Sequence, residues 1–416
     1  MTALPWLLAG VLALPAATAA TAPAAKLRVE GAPVAGKPFV ATVTARRNGK
    51  PASGLRLRVL FTRPGRRVAV AARSLGRGRY RVITVLRVPG RWRYDVRLGR
   101  ASLGRGSLSV ASPPLSRLPG AAAFRVCADA GPFWPTMTVA VDGAAVWVAC
   151  KESGKLQRVD AATGAVRATI ALPGSTPIAV VAGLGSIWAL DGPPGTLYRI
   201  DPATNRIAAR STLGVARPYN LWIGAGAVWS VDDSSGVVLK IDPVTLQIVA
   251  RIPVGDGPAD LVFQGTDCWV INHRDLKLVR IDTRTSAART LAVIPGDAPE
   301  RMAWAAGRLW ITGRGTGLIQ VDPATGAAVA TVGLGPAGGI DVIEHDGALI
   351  VPARASDATQ TGFPRLAAVV RVDPATRAMT TISTASGRLD VHGLAAAGPV
   401  VWLADNTNGV LYRLPG

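Results

Sequence analysis

The stretch that decides the fold runs from residue 178 to residue 211 and reads IAVVAGLGSIWALDGPPGTLYRIDPATNRIAARS. Its apolar runs are short, and Gly, Pro, Asn or Asp separates each run from the next, which is typical of strands joined by turns. The pattern predicts four strands, at residues 178–182, 187–190, 197–200 and 206–211. This unit is therefore predicted to form one small antiparallel sheet.

Copies of this unit recur at a nearly constant interval. The tryptophan of its second strand returns after 41, 41, 40 and 41 residues, at Trp147, Trp188, Trp229, Trp269 and Trp310. Ile350 occupies the same position in a sixth copy, and Trp402 occupies it in a seventh. A period of about 40 to 45 residues with several short strands is typical of a β-propeller blade. We therefore predict an all-β chain whose residues 121–416 form a seven-bladed propeller, with the tryptophans packing between blades.

The seventh copy is shorter than the others, because the sequence stops at VLYRLPG before a fourth strand. An open sheet edge would leave backbone donors and acceptors unpaired in the ring. The segment AAAFRVCA, residues 121–128, stands just before the first copy. We expect this segment to pair with the last blade and to close the ring.

A D-P-x-T motif, with some variation, follows the third strand of six copies. An aspartate that opens a turn can accept backbone N–H bonds, and a following proline presets φ for the turn. We interpret the motif as a hairpin turn and not as a calcium site, because each copy offers one carboxylate. The D-x-x-T-G element of quinoprotein propellers continues to a tryptophan, and no tryptophan follows Gly164 or Gly326 in this way, which argues against a quinone cofactor. The aspartates are Asp160, Asp201, Asp242, Asp282, Asp322 and Asp373, and the threonines are Thr163, Thr204, Thr245, Thr285, Thr325 and Thr376.

Polar residues that differ between the copies mark the candidate binding face, at the end of the ring where second strands finish and first strands begin. The candidates at the second strands are Asp191, Asp232, Asn272 and Asp405. The candidates at the first strands are Tyr219, Asn220, Asp260, Arg301, Asp341, Asp390 and His392. Both signs of charge meet at this face, which suits a polar ligand or a protein partner. A solvated rim is the alternative explanation for any single member of the set.

Units of the form P-x-G-I, G-x-x-x-W and L-x-R-I-D-P-x-T resemble the exported seven-bladed propellers of the YncE kind and, more remotely, virginiamycin B lyase, over residues 131–416. In that lyase, histidine and glutamate surround a magnesium ion. The stretch VHGLAAAGPVVWLADN places His392 at the histidine and Asp405 at the glutamate. The resemblance thus implies, as an alternative, a Mg²⁺-dependent lyase of a lactone or cyclic ester with His392 as base. His273 and His345 match no such position, so we favour a non-catalytic protein without a cofactor.

The first residues, MTALPWLLAGVLALPAATAATAPAA, are apolar and then small, as in a secretory signal peptide over residues 1–20. A membrane anchor is the alternative, although the apolar run is shorter than the ~20 residues of a span. We expect an exported protein that is extracellular, cell-wall associated or periplasmic. One disulfide suits that location, and Cys127 with Cys150 is the favoured pair among the three cysteines.

Residues 26–112 are predicted to form a small β-sandwich. In LRLRVLF, the residues Leu55, Leu57, Val59 and Phe61 fall on one face, while arginines fall on the other. The stretches PVAGKPFVATVTARRNGKPASGLRLRVLF and VPGRWRYDVRL resemble the immunoglobulin-like modules of exported bacterial proteins, which implies the fold alone. A Pro-rich linker, residues 113–120, separates this unit from the propeller.

Nearly all of the net charge of +21 lies in the predicted sandwich, which has 21 Lys or Arg residues against Glu30 and Asp95. Such asymmetry indicates contact with an anionic cell-envelope polymer or membrane surface, and a solvated basic surface is the alternative. No aromatic residues lie among the arginines on the same predicted sheet face, which argues against single-stranded nucleic acid. We therefore predict an exported, monomeric binding protein, with the sandwich on an anionic surface and the propeller recognising a polar ligand or protein.

Overall fold

A computed structural model describes residues 22–34, 38–64, 66–86, 90–110, 118, 120–127, 137–172, 174–315, 317–335, 337–354, 366–385, 389, 391–406 and 409–415, without the side chains of Met137 and His392. The chain divides into two compact units, Met1–Pro113 and Pro114–Gly416. The predicted signal peptide and most of the linker lie outside the described residues. In the part that is described, no helix is long and apolar enough to cross a membrane.

The first unit consists of two antiparallel sheets, one in the order β1-β2-β7-β6 with β3 paired to β2, and one in the order β5-β4-β8-β9. The strands are β1 (Ala24–Glu30), β2 (Pro38–Arg47), β3 (Lys50–Pro51), β4 (Leu57–Arg63), β5 (Arg66–Ala71), β6 (Arg73–Gly76), β7 (Arg79–Val85), β8 (Gly90–Leu98) and β9 (Ala101–Val110).

One apolar core is shared by both sheets of this unit. Val59 and Phe61 on β4 are fully buried, and the arginine between β4's core residues, Arg58, is exposed, as the period-two pattern predicted. The ring of Phe61 meets Phe39 of the other sheet edge to face, with centroids 6.0 Å apart. Because the apolar side chains of both sheets point into one core, the alternating arginines lie on the outer faces.

The second unit contains seven four-stranded antiparallel sheets in its described part. Six of them use consecutive strands, and a short 3-10 turn, Lys151–Ser153, follows β12. These six sheets contain β11 (Met137–Asp142), β12 (Ala145–Cys150), β13 (Lys155–Asp160), β14 (Val166–Ala171); β15 (Pro177–Gly183), β16 (Ser186–Asp191), β17 (Thr196–Asp201), β18 (Arg206–Thr212); β19 (Pro218–Gly224), β20 (Ala227–Asp232), β21 (Val237–Ile241), β22 (Ile248–Pro253); β23 (Pro258–Gln264), β24 (Asp267–Asn272), β25 (Lys277–Asp282), β26 (Ala288–Val293); β27 (Asp297–Ala305), β28 (Arg308–Arg314), β29 (Leu318–Val321), β30 (Ala328–Val332); and β31 (Ile343–His345), β32 (Ala348–Arg354), β33 (Leu366–Val372), β34 (Met379–Thr384).

The seventh sheet combines strands from both ends of the unit, in the order β10-β37-β36-β35. Its strands are β10 (Ala122–Arg125), β35 (Val391–Ala397), β36 (Val400–Asp405) and β37 (Val410–Pro415). The first strands of consecutive sheets lie side by side, and β35 lies beside β11. The sheets therefore form a closed ring, which is the β-propeller predicted from the repeat.

The predicted pairing of the segment around 121–128 with the last sheet is confirmed for Ala122–Arg125. Strand β10 lies antiparallel to β37, with Phe124 opposite Leu411. The Phe124 ring packs 6.2 Å from Trp402, and a Cβ at Gly164 would lie only 1.9 Å from the Phe124 ring. Directly after β10, Cys127 is joined by a disulfide to Cys150 at the end of β12, with their Cα atoms 5.6 Å apart. Backbone pairing, ring packing and a covalent bond thus act together where the ring closes.

The D-P-x-T motifs form local turns. Asp160 Oδ1 accepts hydrogen bonds from the backbone N–H of Ala162 at 3.1 Å and of Thr163 at 2.8 Å, and from Thr163 Oγ1 at 2.7 Å. Asp242 Oδ1 makes the same three bonds with Val244 and Thr245. Each carboxylate is thus held within its own turn, as expected for a hairpin.

Candidate functional site

The polar candidates that the structure describes lie at the end of the propeller opposite the D-P-x-T turns. Strands β16, β20, β24 and β36 end at Asp191, Asp232, Asn272 and Asp405, respectively. The registers place the starts of the first strands beside these ends, since Pro218 pairs with Asp232 and Pro258 with Asn272. Second-strand ends and first-strand beginnings therefore share one face of the ring.

The side chains of three second-strand candidates form hydrogen bonds with backbone groups of adjoining segments. Asp191 Oδ1 accepts from the N–H of Thr176 at 2.5 Å, and Asp232 Oδ1 accepts from the N–H of Arg217 at 3.1 Å. Asn272 Nδ2 donates to Val254 O at 2.8 Å. These bonds connect the end of each second strand to the segment that leads into the first strand. Contact between these side chains and a ligand stays a prediction.

Asp260 connects neighbouring sheets through a buried carboxylate that is only 5% exposed. Its Oδ1 accepts from Trp222 Nε1 of β19 at 2.8 Å, and its Oδ2 accepts from the N–H of Met302 on β27 at 2.6 Å. Strand β23, which carries Asp260, lies between β19 and β27 in the ring. One side chain thereby fixes three first strands relative to each other.

Arg301 lies next to this carboxylate and has few donors engaged. Its guanidinium carbon is 5.7 Å from the centroid of the Tyr219 ring, and its Nε is 4.0 Å from Asp341 Oδ1, too far for a hydrogen bond. Among the described residues, one hydrogen bond of the guanidinium is found, from Nη1 to Glu300 O at 2.8 Å. Since a guanidinium has five N–H donors, the group retains donors for a polar partner. We call Arg301, Tyr219, Asp260, Asp341 and Glu300 the Arg301 cluster.

Burial controls the protonation of the acids in this cluster. Burial raises the pKa of Asp341 to about 7, although the nearby Arg301 opposes the shift. Burial also raises the pKa of Asp260 against the attraction of Arg301 and the hydrogen bond from Met302. For Arg301 itself, burial lowers the pKa, but Tyr219 and the surrounding acids outweigh it, and the net shift is upward. The cluster therefore combines a permanent cation with an acid that titrates near neutral pH.

Glu300 links the cluster to two further arginines. Arg314 Nε donates to Glu300 Oε1 at 2.7 Å, and Arg354 Nη2 donates to Glu300 Oε2. The sequence did not predict Trp222, Arg314 or Arg354 as part of this site. Trp222 lies on a first strand, outside the recurring tryptophan position. This unusual position in the repeat was the sequence feature that could have identified it as a site residue. No comparable sequence feature marked Arg314 or Arg354.

Asn220 lies in β19 next to Tyr219, but its polar atoms form hydrogen bonds within its own sheet. Its Oδ1 accepts from the N–H of Leu221 at 2.8 Å, and its backbone oxygen accepts from Ser230 Oγ at 2.9 Å. The structure thus brings Tyr219, Asp260, Arg301 and Asp341 into one cluster, whereas Asn220 acts locally.

An ion-pair network not predicted from the sequence lies on the same face. Asp233, only 3% exposed, forms an ion pair with Arg274 at 3.0 Å, and Arg217 approaches it to 3.4 Å. Arg274 Nε also binds Asp256 Oδ1 at 2.6 Å. Burial lowers the pKa of the adjacent His273, with Asp233 opposing the shift. These contacts join the loops after β20 and β24.

The residues implied by the lyase resemblance are only partly described. His392 lies in β35 without a described side chain, and Asp390 lies outside the described residues. Asp405 is fully buried. Burial, and then the charge of Asp405, raises the pKa of Tyr412. Within the described side chains, no group of three His, Cys, Asp or Glu residues could hold a metal ion. Because the His392 side chain lies outside this description, the magnesium site that the resemblance implies stays a prediction.

Comparisons with known proteins bear on the fold. No protein-family profile matches the chain, and no curated protein matches it by sequence. Among solved structures, a WD40 propeller from a crystal structure of the mitotic checkpoint complex is similar with a TM-score of 0.59 and 15% identity, over 74% of this chain and 95% of that one.

Two further solved structures are similar. The computationally designed Ika8 protein has a TM-score of 0.51 at 10% identity, over 88% of this chain and 98% of that one. BamB from Moraxella catarrhalis has a TM-score of 0.48 at 14% identity, over 83% and 94% of the two chains. At such identities the WD40 similarity supports the propeller fold alone.

Proposed function

We propose that this chain is an exported, non-catalytic binding protein. In this proposal, the Arg301 cluster and the loops around it recognise a polar ligand or a polar patch of a protein, while the basic first unit contacts an anionic surface. The observation that carries the proposal is Arg301, a largely buried guanidinium with donors left over and an acid 4.0 Å away. A buried charge without a full set of partners is costly, and a polar ligand would complete the set.

Finer features of the fold belong to the same proposal. Seven blades would correspond to the seven four-stranded sheets of the second unit. A relationship to the YncE-like propellers rests on the repeat and its D-P-x-T turns, and an immunoglobulin-like arrangement of the first unit rests on its two sheets around one core. Export rests on the apolar N-terminal stretch and suits the disulfide between Cys127 and Cys150.

The test compares two conservative substitutions in the full-length protein. Arg301→Lys keeps the charge but removes the planar fork of donors. Arg308→Lys is the matched control, because Arg308 pairs with Asp322 at 2.6 Å at the opposite end of the propeller. Immobilised wild type, Arg301→Lys and Arg308→Lys are incubated with cell-envelope extract, and the bound molecules are quantified by mass spectrometry.

We expect wild type and Arg308→Lys to retain the same molecules, and Arg301→Lys to retain them at least about tenfold less well, since a hydrogen bond to a charged group contributes about 1.5–3 kcal/mol. The melting temperatures of the variants serve as the folding control. Equal retention by a folded Arg301→Lys protein would contradict the proposed site.

A further inference from the structure

The outer face of the second sheet of the first unit carries an array of arginines. Strand register places Arg93 of β8 opposite Thr62 of β4 and Ser107 of β9, and places Arg67 of β5 opposite Thr62. Residues that share a row on one sheet face lie on neighbouring strands about 4.8 Å apart. The arginines therefore form a two-dimensional array and not a linear basic tail.

A groove of about 840 Å³ lies on this face. Its lining includes Thr62, Arg63, Arg91, Arg93, Arg105 and Ser107. Arg91 is held in place there, because its Nε and Nη2 donate to Ser107 Oγ at 3.2 Å and 3.1 Å. Arg63 stacks over the Trp92 ring with its guanidinium carbon 5.8 Å from the ring centroid. Arginines positioned before a ligand arrives lose less entropy on binding.

The positive charge of the groove is poorly balanced. Glu30 and Asp95 are the two acidic residues of the sequence between residues 26 and 112, and Glu30 lies on β1 of the other sheet. Asp95 binds Arg97 at 2.8 Å and approaches Arg105 to 3.6 Å. This carboxylate therefore offsets charge at one end of the array, and the end with Arg91 and Arg93 stays cationic.

The distribution of apolar side chains favours a soluble polyanion over a membrane. The exposed large apolar residues described in this unit are Leu75, 51% exposed, and Ile83, 54% exposed, and both belong to the other sheet. Proteins that bind a bilayer surface combine basic residues with apolar side chains that enter it. Trp92 is buried, and the described residues that line the groove include no aromatic side chain on which a base could stack and no Leu, Ile, Val, Met or Phe that could enter a bilayer.

We propose that this groove binds a flexible chain of phosphate groups, such as a polyphosphate or a phosphodiester polymer, through the guanidinium groups of Arg63, Arg91 and Arg93. Guanidinium forks match phosphate oxygens with two parallel hydrogen bonds, and successive side chains on one strand face can meet successive phosphates. This inference rests on the proposed contact between the first unit and an anionic surface, and it names both the site and the chemistry of the ligand.

The test uses full-length protein and fluorescein-labelled inorganic polyphosphate, with affinity followed by fluorescence anisotropy between about 50 and 200 mM salt. Arg91→Gln/Arg93→Gln removes two charges from the groove. Arg79→Gln/Arg81→Gln removes two charges from β7 on the other sheet and is the matched control. We expect the groove variant to bind at least about tenfold more weakly and to lose about 1.4 from the salt slope, which corresponds to two phosphate contacts. The control should stay within about twofold of wild type, because charges on the other sheet make no direct contact with the chain.

Equal losses in both double variants would overturn the groove while leaving anionic contact by the unit intact. Tighter binding to phosphatidylglycerol vesicles than to polyphosphate, with loss on Ile83→Ser, would also overturn it and indicate a membrane surface. If wild type binds neither probe, the proposed anionic contact of the first unit fails along with the groove. The propeller part of the proposed function stands apart from all of these outcomes, because it is measured with Arg301→Lys.

Discussion

At the scale of single residues, the Arg301 cluster contains an acid with an unusual proton affinity. The Asp341 carboxyl keeps its proton up to about pH 7 in the folded chain, because its pKa is raised from the ordinary value of 3.8. Between these values the folded state binds more protons than the unfolded state, so a rise in pH lowers the free energy of unfolding. The contribution of Asp341 to the free energy of unfolding is therefore fully present below about pH 4. This contribution is lost as the pH rises through about 7.

The substitution Asp341→Asn tests this directly. We expect the difference in unfolding free energy, wild type minus variant, to fall by about 2 kcal/mol between about pH 4 and 7, because one pKa unit corresponds to about 1.4 kcal/mol and the side chain retains some contact with water. Urea denaturation at a series of pH values measures it. Asp242→Asn is the control, since hydrogen bonds from Thr245 lower the pKa of Asp242 and its contribution disappears only at acid pH. A flat Asp341 difference curve would show that the carboxyl is ionised normally.

The residues of the site could be predicted only in part. Tyr219, Asp260, Arg301 and Asp341 were candidates because they vary at one predicted end of a repeat. Their convergence could not be predicted, since each comes from a different sheet and the distances depend on how the sheets are arranged. Asp191 and Asp232 had the same sequence signal, yet their carboxylates bind backbone N–H groups of adjoining loops. A polar residue at a strand end is therefore compatible with either role.

At the scale of elements, the basic residue before three of the D-P-x-T motifs links consecutive sheets. Arg158 Nη1 donates to Pro202 O at 3.1 Å, and Arg199 Nη1 donates to Pro243 O at 3.0 Å. Lys240 Nζ donates to Thr283 O at 2.8 Å. In each case the acceptor belongs to the turn of the next sheet. In these three copies the repeat therefore encodes contacts between sheets as well as its own turns, a second role that its sequence pattern did not predict.

We expect Arg158→Ala to lower the free energy of unfolding by about 2 kcal/mol. The change removes hydrogen bonds to Pro202 O and Asn205 Oδ1 and the stacking of the guanidinium 5.6 Å from the Trp147 ring. Arg206→Ala, on the exposed face of β18, is the control and should change stability by less than about 0.5 kcal/mol. Equal midpoints of urea denaturation for the two variants would mean that the contact between turns contributes nothing.

The fold was more predictable than the site at this scale. Four strands, their order and the closing role of the segment 121–128 followed from turn residues and a constant spacing of tryptophans. The seventh sheet needs β10 because β37 would otherwise present an unpaired edge, which is a general property of sheets. The sequence could favour the disulfide that holds β10 near β12 but could not single it out, since three cysteines permit three pairs.

At the scale of the whole molecule, one end of the propeller is regular and the other is variable. The D-P-x-T end repeats one local hydrogen-bond pattern, in which each aspartate is held by its own turn. The opposite end carries the Arg301 cluster and the Asp233 network, which differ from sheet to sheet. A repeated scaffold that supports variable loops is how propellers acquire individual binding properties. The central claim is therefore that partners bind at the variable end.

Hydrogen–deuterium exchange of the full-length protein, with and without the molecules it retains from cell-envelope extract, tests this claim most directly. We predict slower exchange on binding at residues 214–220, 255–260 and 295–301, which lead into the first strands around Arg301, and unchanged exchange at the turns 160–165, 201–206 and 242–247. Protection confined to those turns, with no change around Arg301, would contradict the claim.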